Sequence, residues 1–140
     1  METQKAGCFL VDLKTKQVCL IYRDHHDDYT FPKGHIEAGE DAKTAALRET
    51  AEETKRDAII VEDFAPYEEH YTTPSGENCV CYMFIAIDNG KSDNNSTDTH
   101  DVVWTPFDKV EETLSYPSLK KSWNAVKDNI LNLFNKKDEI

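Results

Sequence analysis

Long hydrophobic runs are missing from this chain of 140 residues, and no stretch approaches the roughly 20 apolar residues of a membrane span. The opening METQKAGCFLVD also lacks a basic region followed by an apolar signal core, so a cytoplasmic location is expected. Cysteine is sparse and unpatterned. Cys8, Cys19, Cys79 and Cys81 form no Cys-x-x-Cys pair and lie in apolar, strand-like runs, which reads as reduced core thiols. A zinc site on Cys79 and Cys81 would need an unusual ligand spacing. Positive charge is scarce too: 16 Lys and Arg face 27 Asp and Glu, a net charge of −11. That disfavours nucleic-acid polymers and acidic membranes as partners, because both select basic surfaces. It leaves room for a small anionic substrate, since a bound cation and a few local basic residues can invert the potential within one site. There are no internal repeats and no linker, so residues 1–140 read as one domain with an ordinary core.

What is present is an alternation of strand-like and helix-like segments. After a polar tail over residues 1–5, Ala6 to Val11 and Val18 to Tyr22 read as a hairpin across the turn DLKTKQ. RDHHDD follows as a polar loop, in which His25 and His26 are better read as solvated than as metal ligands. Asp57 to Tyr71 starts as a strand that Pro66 interrupts. Asn78 to Ile87 is the most apolar run and is predicted to be a central strand. Asp88 to Asp98 is a polar loop, a lid or a merely mobile segment, and His100 to Thr105 a further strand. A short helix is expected over Phe107 to Leu114. Leu119, Trp123, Val126, Ile130 and Phe134 then mark an amphipathic helix, before a charged tail expected to fray from Asn135. This order predicts an α/β layered fold with a mixed sheet.

The chemistry concentrates in FPKGHIEAGEDAKTAALRETAEETKR, from Phe31 to Arg56. A helix is expected from about Asp41 to Thr54. At 100° per residue, Glu49, Glu52 and Glu53 share one arc of roughly 100°. Like charges at this spacing repel, and clustered carboxylate oxygens suit a hard divalent cation such as Mg²⁺ or Mn²⁺. Ala42, Ala45 and Ala46 project along the side of Glu49 and Glu53, while Leu47, Thr50, Ala51 and Thr54 occupy the other side. The carboxylates thus extend a small-residue stripe able to pack on a sheet. Arg48 stands one turn before Glu52, placed to orient it. Most Glu-rich helices are simply solvated, so this arc alone does not decide the function.

The wider spacing does more. Gly34, then Glu40 after five residues, then Arg48-Glu49 after seven, then Glu52-Glu53, resembles the signature box of the Nudix hydrolases. Three positions depart from it: Thr50 stands where an apolar residue is usual, Lys55 where a glycine is usual, and Arg56 where a closing apolar residue is usual. Lys55 must either adopt a left-handed conformation, at about 1 kcal/mol, or let the helix run on. The resemblance implies a Nudix-type α/β/α sandwich with a mixed central sheet and a catalytic loop-helix-loop. It implies hydrolysis of a pyrophosphate bond in a nucleoside diphosphate linked to another group. It implies Mg²⁺ or Mn²⁺ held by Glu49, Glu52, Glu53 and the Gly34 carbonyl, with Glu52 or Glu53 acting on the attacking water and Arg48 positioning a glutamate. Glu40 would support the loop. Many members of the family dimerise, so a homodimer is an allowed arrangement.

For the substrate, Phe31-Pro32-Lys33-Gly34-His35 with Glu37, Gly39 and Glu40 resembles the subgroup that cleaves dinucleoside tetraphosphates. Lys33 is a candidate phosphate contact, and Tyr67 and Tyr71 are candidates to stack on a base, against the ordinary reading of strand aromatics as core. His70 and His100 are weaker phosphate candidates. Nucleoside triphosphates, ADP-ribose and nucleotide sugars remain alternative substrates, and a non-catalytic nucleotide sensor is the alternative role. Diphosphoinositol polyphosphates are disfavoured by the chain's acidity.

Overall fold

The computed structural model describes residues 2–138. Its spine is a parallel pair. Strand β1 (Thr3–Asp12) runs beside β7 (Asn78–Lys91) in continuous register from Thr3↔Cys79 to Val11↔Ile87. Ala6 to Val11 are buried without a break, as a strand covered on both faces requires. The mixed sheet is ordered β3-β2-β1-β7-β5, with β2 at Gln17–Arg23, β3 at Asp28–Thr30 and β5 at Arg56–Ile60. Three further strands join it: β4 (Lys33–His35) on β1, β6 (Tyr67–Thr72) on β7, and β8 (Asp101–Pro106) on β2.

Strand alternation sends side chains to two cores. Phe9 and Val11 of β1, Val18 and Leu20 of β2, and Cys81, Met83 and Ile85 of β7 meet helix α3 (Pro117–Asp138). There they pack with Leu119, Trp123, Val126, Ile130 and Phe134, the residues the periodicity had marked. The short helix α2 (Val110–Thr113), entered through a 3-10 turn at Phe107–Lys109, adds Val110 and Leu114 to this core. On the other face Ala6, Cys8, Leu10, Cys19, Phe84 and Ala86 meet helix α1 (Ala42–Thr54) through Ala45 and Ala46. The result is the expected α/β/α sandwich.

Several boundaries differ from the sequence reading. The tail begins as strand at Thr3, because Thr3 to Gly7 pair with β7 and Lys5 to Gly7 also pair with β4. Strand β7 continues to Lys91 along β5, where the Arg56 guanidinium grips Asp88 at 2.6 and 2.8 Å. The helix expected to fray at Asn135 continues to Asp138, and residues 139–140 lie outside the described residues. The four cysteines are free and buried. Burial pushes the Cys8, Cys19 and Cys81 thiols up to about 12, which keeps them protonated and unreactive.

Helix α1 buries a wider arc than its alanine stripe: Thr50, Ala51 and Thr54 are buried along with Ala45 and Ala46. Thr54 Oγ1 donates to the Thr50 carbonyl at 2.6 Å. Thr50 Oγ1, by contrast, is buried with no hydrogen-bonding partner among the described residues better than the weak Cys8 thiol beside it. Thr50→Val keeps the shape and removes this hydroxyl. It should therefore raise stability by about 1 kcal/mol, read as a higher urea midpoint at unchanged slope. A lower midpoint would mean that the hydroxyl is satisfied in solution.

Candidate active site

Two glycines set the frame. At Gly7 of β1, a Cβ would collide with the Pro32 carbonyl and with Lys33, so only glycine lets β4 lie this close. At Gly34 a Cβ would fall on the Glu49 carboxylate. The backbone of β4 is thereby pressed against the glutamate row of α1. Asp41 caps that helix, accepting from the Thr44 N–H at 2.8 Å. Lys55 ends it in the left-handed region at φ 58°, its N–H donating to the Ala51 carbonyl. The helix therefore stops where the glycine-bearing pattern would stop it, although the residue is lysine.

Arg48 is the hub of the glutamates. Its Nε and Nη2 donate to both oxygens of Glu40 at 2.7 and 2.9 Å, and Nη2 also reaches the His35 carbonyl at 2.9 Å. Nη1 donates to Glu49 at 2.8 Å and to Glu52 at 3.2 Å. The Glu40 carboxyl is held at about 2, first by Arg48 and then by the Glu37 N–H. Glu53 stands apart from Arg48. Its Oε1 accepts from the Lys33 N–H at 2.8 Å, and its Oε2 lies 3.7 Å from His100 Nε2. Burial pushes the Glu53 carboxyl up to about 8, the Lys33 N–H opposing and the charge of Glu49 adding to the rise. Glu49 is raised too, again mainly by burial.

These groups line a cleft of about 520 Å³ that holds Gly34, Glu37, Arg48, Glu49, Glu52, Glu53 and Asp98. Asp98 arrives on the loop that follows β7. Lys55 Nζ holds this loop through the carbonyls of Asn94 and Ser96 at 2.8 and 2.6 Å, and the His100 N–H donates to the Glu53 carbonyl. The segment expected to be mobile is thus tied to the end of α1. A second cleft of about 590 Å³ adjoins the first, lined by Ile21, Phe31, Glu69, Tyr71, Pro74, Tyr116 and Leu119 among others. Lys5, Arg23, Lys33 and Glu53 border both. Arg23 is aimed by Asp28, a buried carboxylate that takes its Nε and Nη2 at 2.8 and 2.6 Å and also accepts from the Tyr116 hydroxyl.

Residues 1–131 match the NUDIX domain, which decides the family. This chain belongs to the NUDIX domain family. It is 33% identical over 108 residues, 76% of its length, to an 8-oxo-(d)GTP phosphatase of Mycolicibacterium smegmatis. The chain spans about a third of that relative, 32% of its length. Among solved structures it superposes on an Ap4A hydrolase of C. elegans with TM-score 0.71 at 23% identity, covering 96% of each chain. A NUDIX-family hydrolase from Clostridium perfringens gives TM-score 0.73 at 12% identity over 93% of this chain and 99% of that one. At these identities the superpositions speak for the fold.

Of the residues expected from sequence, Gly34, Arg48, Glu49, Glu52 and Glu53 come together in one cleft, and Lys33 and Tyr71 line the adjoining one. Tyr67 lines neither and packs against the core under α3. Tyr71 is not a free stacking platform, because Lys33 Nζ lies 5.0 Å and Lys5 Nζ 5.5 Å from its ring centroid. His70 is exposed between Glu2 and Glu68, each 3.4 Å away. Sequence reasoning missed Lys5, hidden in an apparent tail, Arg23 at the head of a polar loop, and Asp98. A hairpin register that paired Arg23 with Asp28 was the signal available for the second.

The donor set can be tested for fit to a divalent metal ion. Among the described residues no three His, Cys, Asp or Glu side chains converge tightly enough to enclose an ion, since Arg48 bridges Glu49 and Glu52 instead. The chemistry fits nonetheless: hard oxygen donors share one cleft, and the burial that penalises ionised Glu53 is what a cation relieves.

The sign of that penalty is testable without metal. The folded chain raises Glu53 from 4.5 to about 8, so it binds a proton that the unfolded chain has released. Stability therefore falls as pH rises through that window and is lower above it. With chelator present, Glu53→Gln should melt higher than the parent at pH 8.5, and the gap should close toward pH 4.5. A gap independent of pH would show that Glu53 ionises normally.

Proposed function

We propose that this Nudix hydrolase is a divalent-metal-dependent pyrophosphohydrolase of nucleoside polyphosphates, with dinucleoside tetraphosphates as preferred substrates. The observation that carries this reading is the pair of joined clefts. One is walled by aromatic and aliphatic side chains, the other is lined by carboxylates, and Lys5, Arg23 and Lys33 stand where they meet. A nucleoside suits the first, a chain of phosphates crosses the basic junction, and the scissile bond enters the acidic cleft.

Glu49, Glu52, Glu53 and the Gly34 carbonyl would hold Mg²⁺ or Mn²⁺, which when bound neutralises phosphate oxygens and lowers the pKa of a bound water. Arg48 is a positioning residue: it fixes Glu49 and Glu52 and ties them through Glu40 and the His35 carbonyl to the loop before the helix. Glu53, oriented by the Lys33 N–H, accepts the proton of the attacking water, with Glu52 alongside. Lys33 Nζ, 3.8 Å from Glu69, serves the basic junction rather than the carboxylate row.

A second reading has its own support. The relative at 33% identity acts on 8-oxo-(d)GTP, and a modified nucleoside triphosphate would use the same two clefts. Turnover of a substrate panel with Mg²⁺ or Mn²⁺ separates the two. Cleavage of a dinucleoside tetraphosphate to nucleoside mono- and triphosphate, faster than cleavage of 8-oxo nucleoside triphosphates, is the expected result, and the reverse order selects the second reading. Glu52→Gln and Glu53→Gln should each lower kcat by about a hundred- to ten-thousandfold with the circular dichroism spectrum unchanged. Near-normal turnover in both would exclude the assigned roles.

A further inference from the structure

The aromatic cleft contains a group that the proposed hydrolysis does not use. Glu69 points from β6 toward the cleft, with only 9% of its side chain exposed. Neither carboxylate oxygen accepts a hydrogen bond from the described residues, and its ion pair is the long 3.8 Å approach of Lys33 Nζ. That ammonium is shared with the Tyr71 ring. The carboxylate lines a space walled by Phe31, Tyr71, Tyr116 and Leu119, and neither oxygen is both fully buried and unpartnered, so solvent in the cleft reaches it. A ligand that displaces this solvent must bring donors of its own.

We propose that Glu69 is a specificity-determining residue that reads the base of the substrate, selecting guanine. Guanine offers two neighbouring donors on one edge, N1–H and N2–H, spaced to meet both oxygens of one carboxylate. Adenine offers a single N6–H donor there beside the N1 lone pair, which repels a carboxylate. The same argument excludes an unmodified pyrimidine as the best ligand, because neither cytosine nor uracil carries two adjacent donors on that edge. This inference rests on the proposed placement of the nucleoside in the aromatic cleft. It holds for a guanine dinucleotide and for an 8-oxoguanine nucleotide alike, because 8-oxidation leaves that edge unchanged.

The test compares diguanosine, diadenosine and diinosine tetraphosphates as substrates, and GMP, AMP and IMP as ligands in calorimetry, for the parent and Glu69→Gln. The parent should favour guanosine over adenosine on the order of ten- to a hundredfold, the range of a good bidentate base contact. Inosine, which lacks the N2 donor, should fall between them. Glu69→Gln replaces one acceptor oxygen with an amide NH2 and should lower the guanosine-to-adenosine ratio at least fivefold, chiefly through KM. A parent that binds AMP as well as GMP overturns the proposal. So does a ratio that survives in Glu69→Gln, or affinity lost on removing the ribose hydroxyls while base exchange changes nothing. Should Glu69→Gln fail to fold, the ordering of GMP, IMP and AMP on the parent still decides. Absence of turnover for every tetraphosphate would strike the proposed reaction, whereas the calorimetric ordering bears on Glu69 alone.

Discussion

The acidic cleft depends on one guanidinium. Glu40, Glu49 and Glu52 would repel one another on this half of the molecule, and Glu37 and Glu53 add to the same field. Arg48 divides five N–H donors among three of these carboxylates and one backbone carbonyl, and lies 3.7 Å from the fourth, Glu37. Only a planar, permanently charged fork does this, because an ammonium offers fewer donors from a single point. The same contacts join the β4 loop to the middle of α1, beside the packing of Ile36 near Ala45 and Ala46. Arg48 therefore sets the local charge balance and ties the loop to the helix.

The glutamate row also needs close approach to the strands, and small residues provide it. Ala45 and Ala46 let α1 settle onto β1, while Gly7 and Gly34 let β4 slip between the strand and the glutamates. Strand β1 is thus more than a core element. It is covered on both faces, pairs with β2, β4 and β7, and gives up the space of one side chain so that the Lys33 N–H can reach Glu53. Packing and chemistry meet at this backbone hydrogen bond.

Much of this was legible beforehand because it is local. The carboxylate arc follows from helical geometry over five residues, and α3 was visible because five large apolar residues repeat on one face. The rest is non-local. Lys5 read as tail because its pairing partners, Cys81 and His35, lie far along the chain. Tyr67 and Tyr71 look alike in sequence, share one face of β6 and both pack against the core under α3, yet Tyr71 lines the cleft and Tyr67 does not. Thr50 departs from the expected apolar residue and is nevertheless fully buried, so its position was legible and its unsatisfied hydroxyl was not. Lys55 shows the converse. Its departure from glycine left two outcomes open, a left-handed residue or a longer helix; the residue is left-handed, and the side chain that a glycine lacks holds the loop bearing Asp98.

The acidity of the chain then bears on how a polyanion enters. With a net charge of −11, long-range attraction does not draw a polyphosphate to this surface. Entry must rely on short-range features that lie within about a Debye length of the cleft, some 8 Å in physiological salt. The structure supplies three cations from three strands, and two of them are already partnered, Arg23 by Asp28 and Lys33 by Glu69. Lys5 has the Tyr71 ring as its recorded contact and makes no ion pair among the described residues, so it keeps the least compensated charge of the three. A free nucleotide would meet repulsion over most of this surface, and one already carrying Mg²⁺ would meet less. For the proposed reaction, the arrangement would favour arrival of the substrate as its metal complex, whose cation Glu49, Glu52 and Glu53 would help to hold.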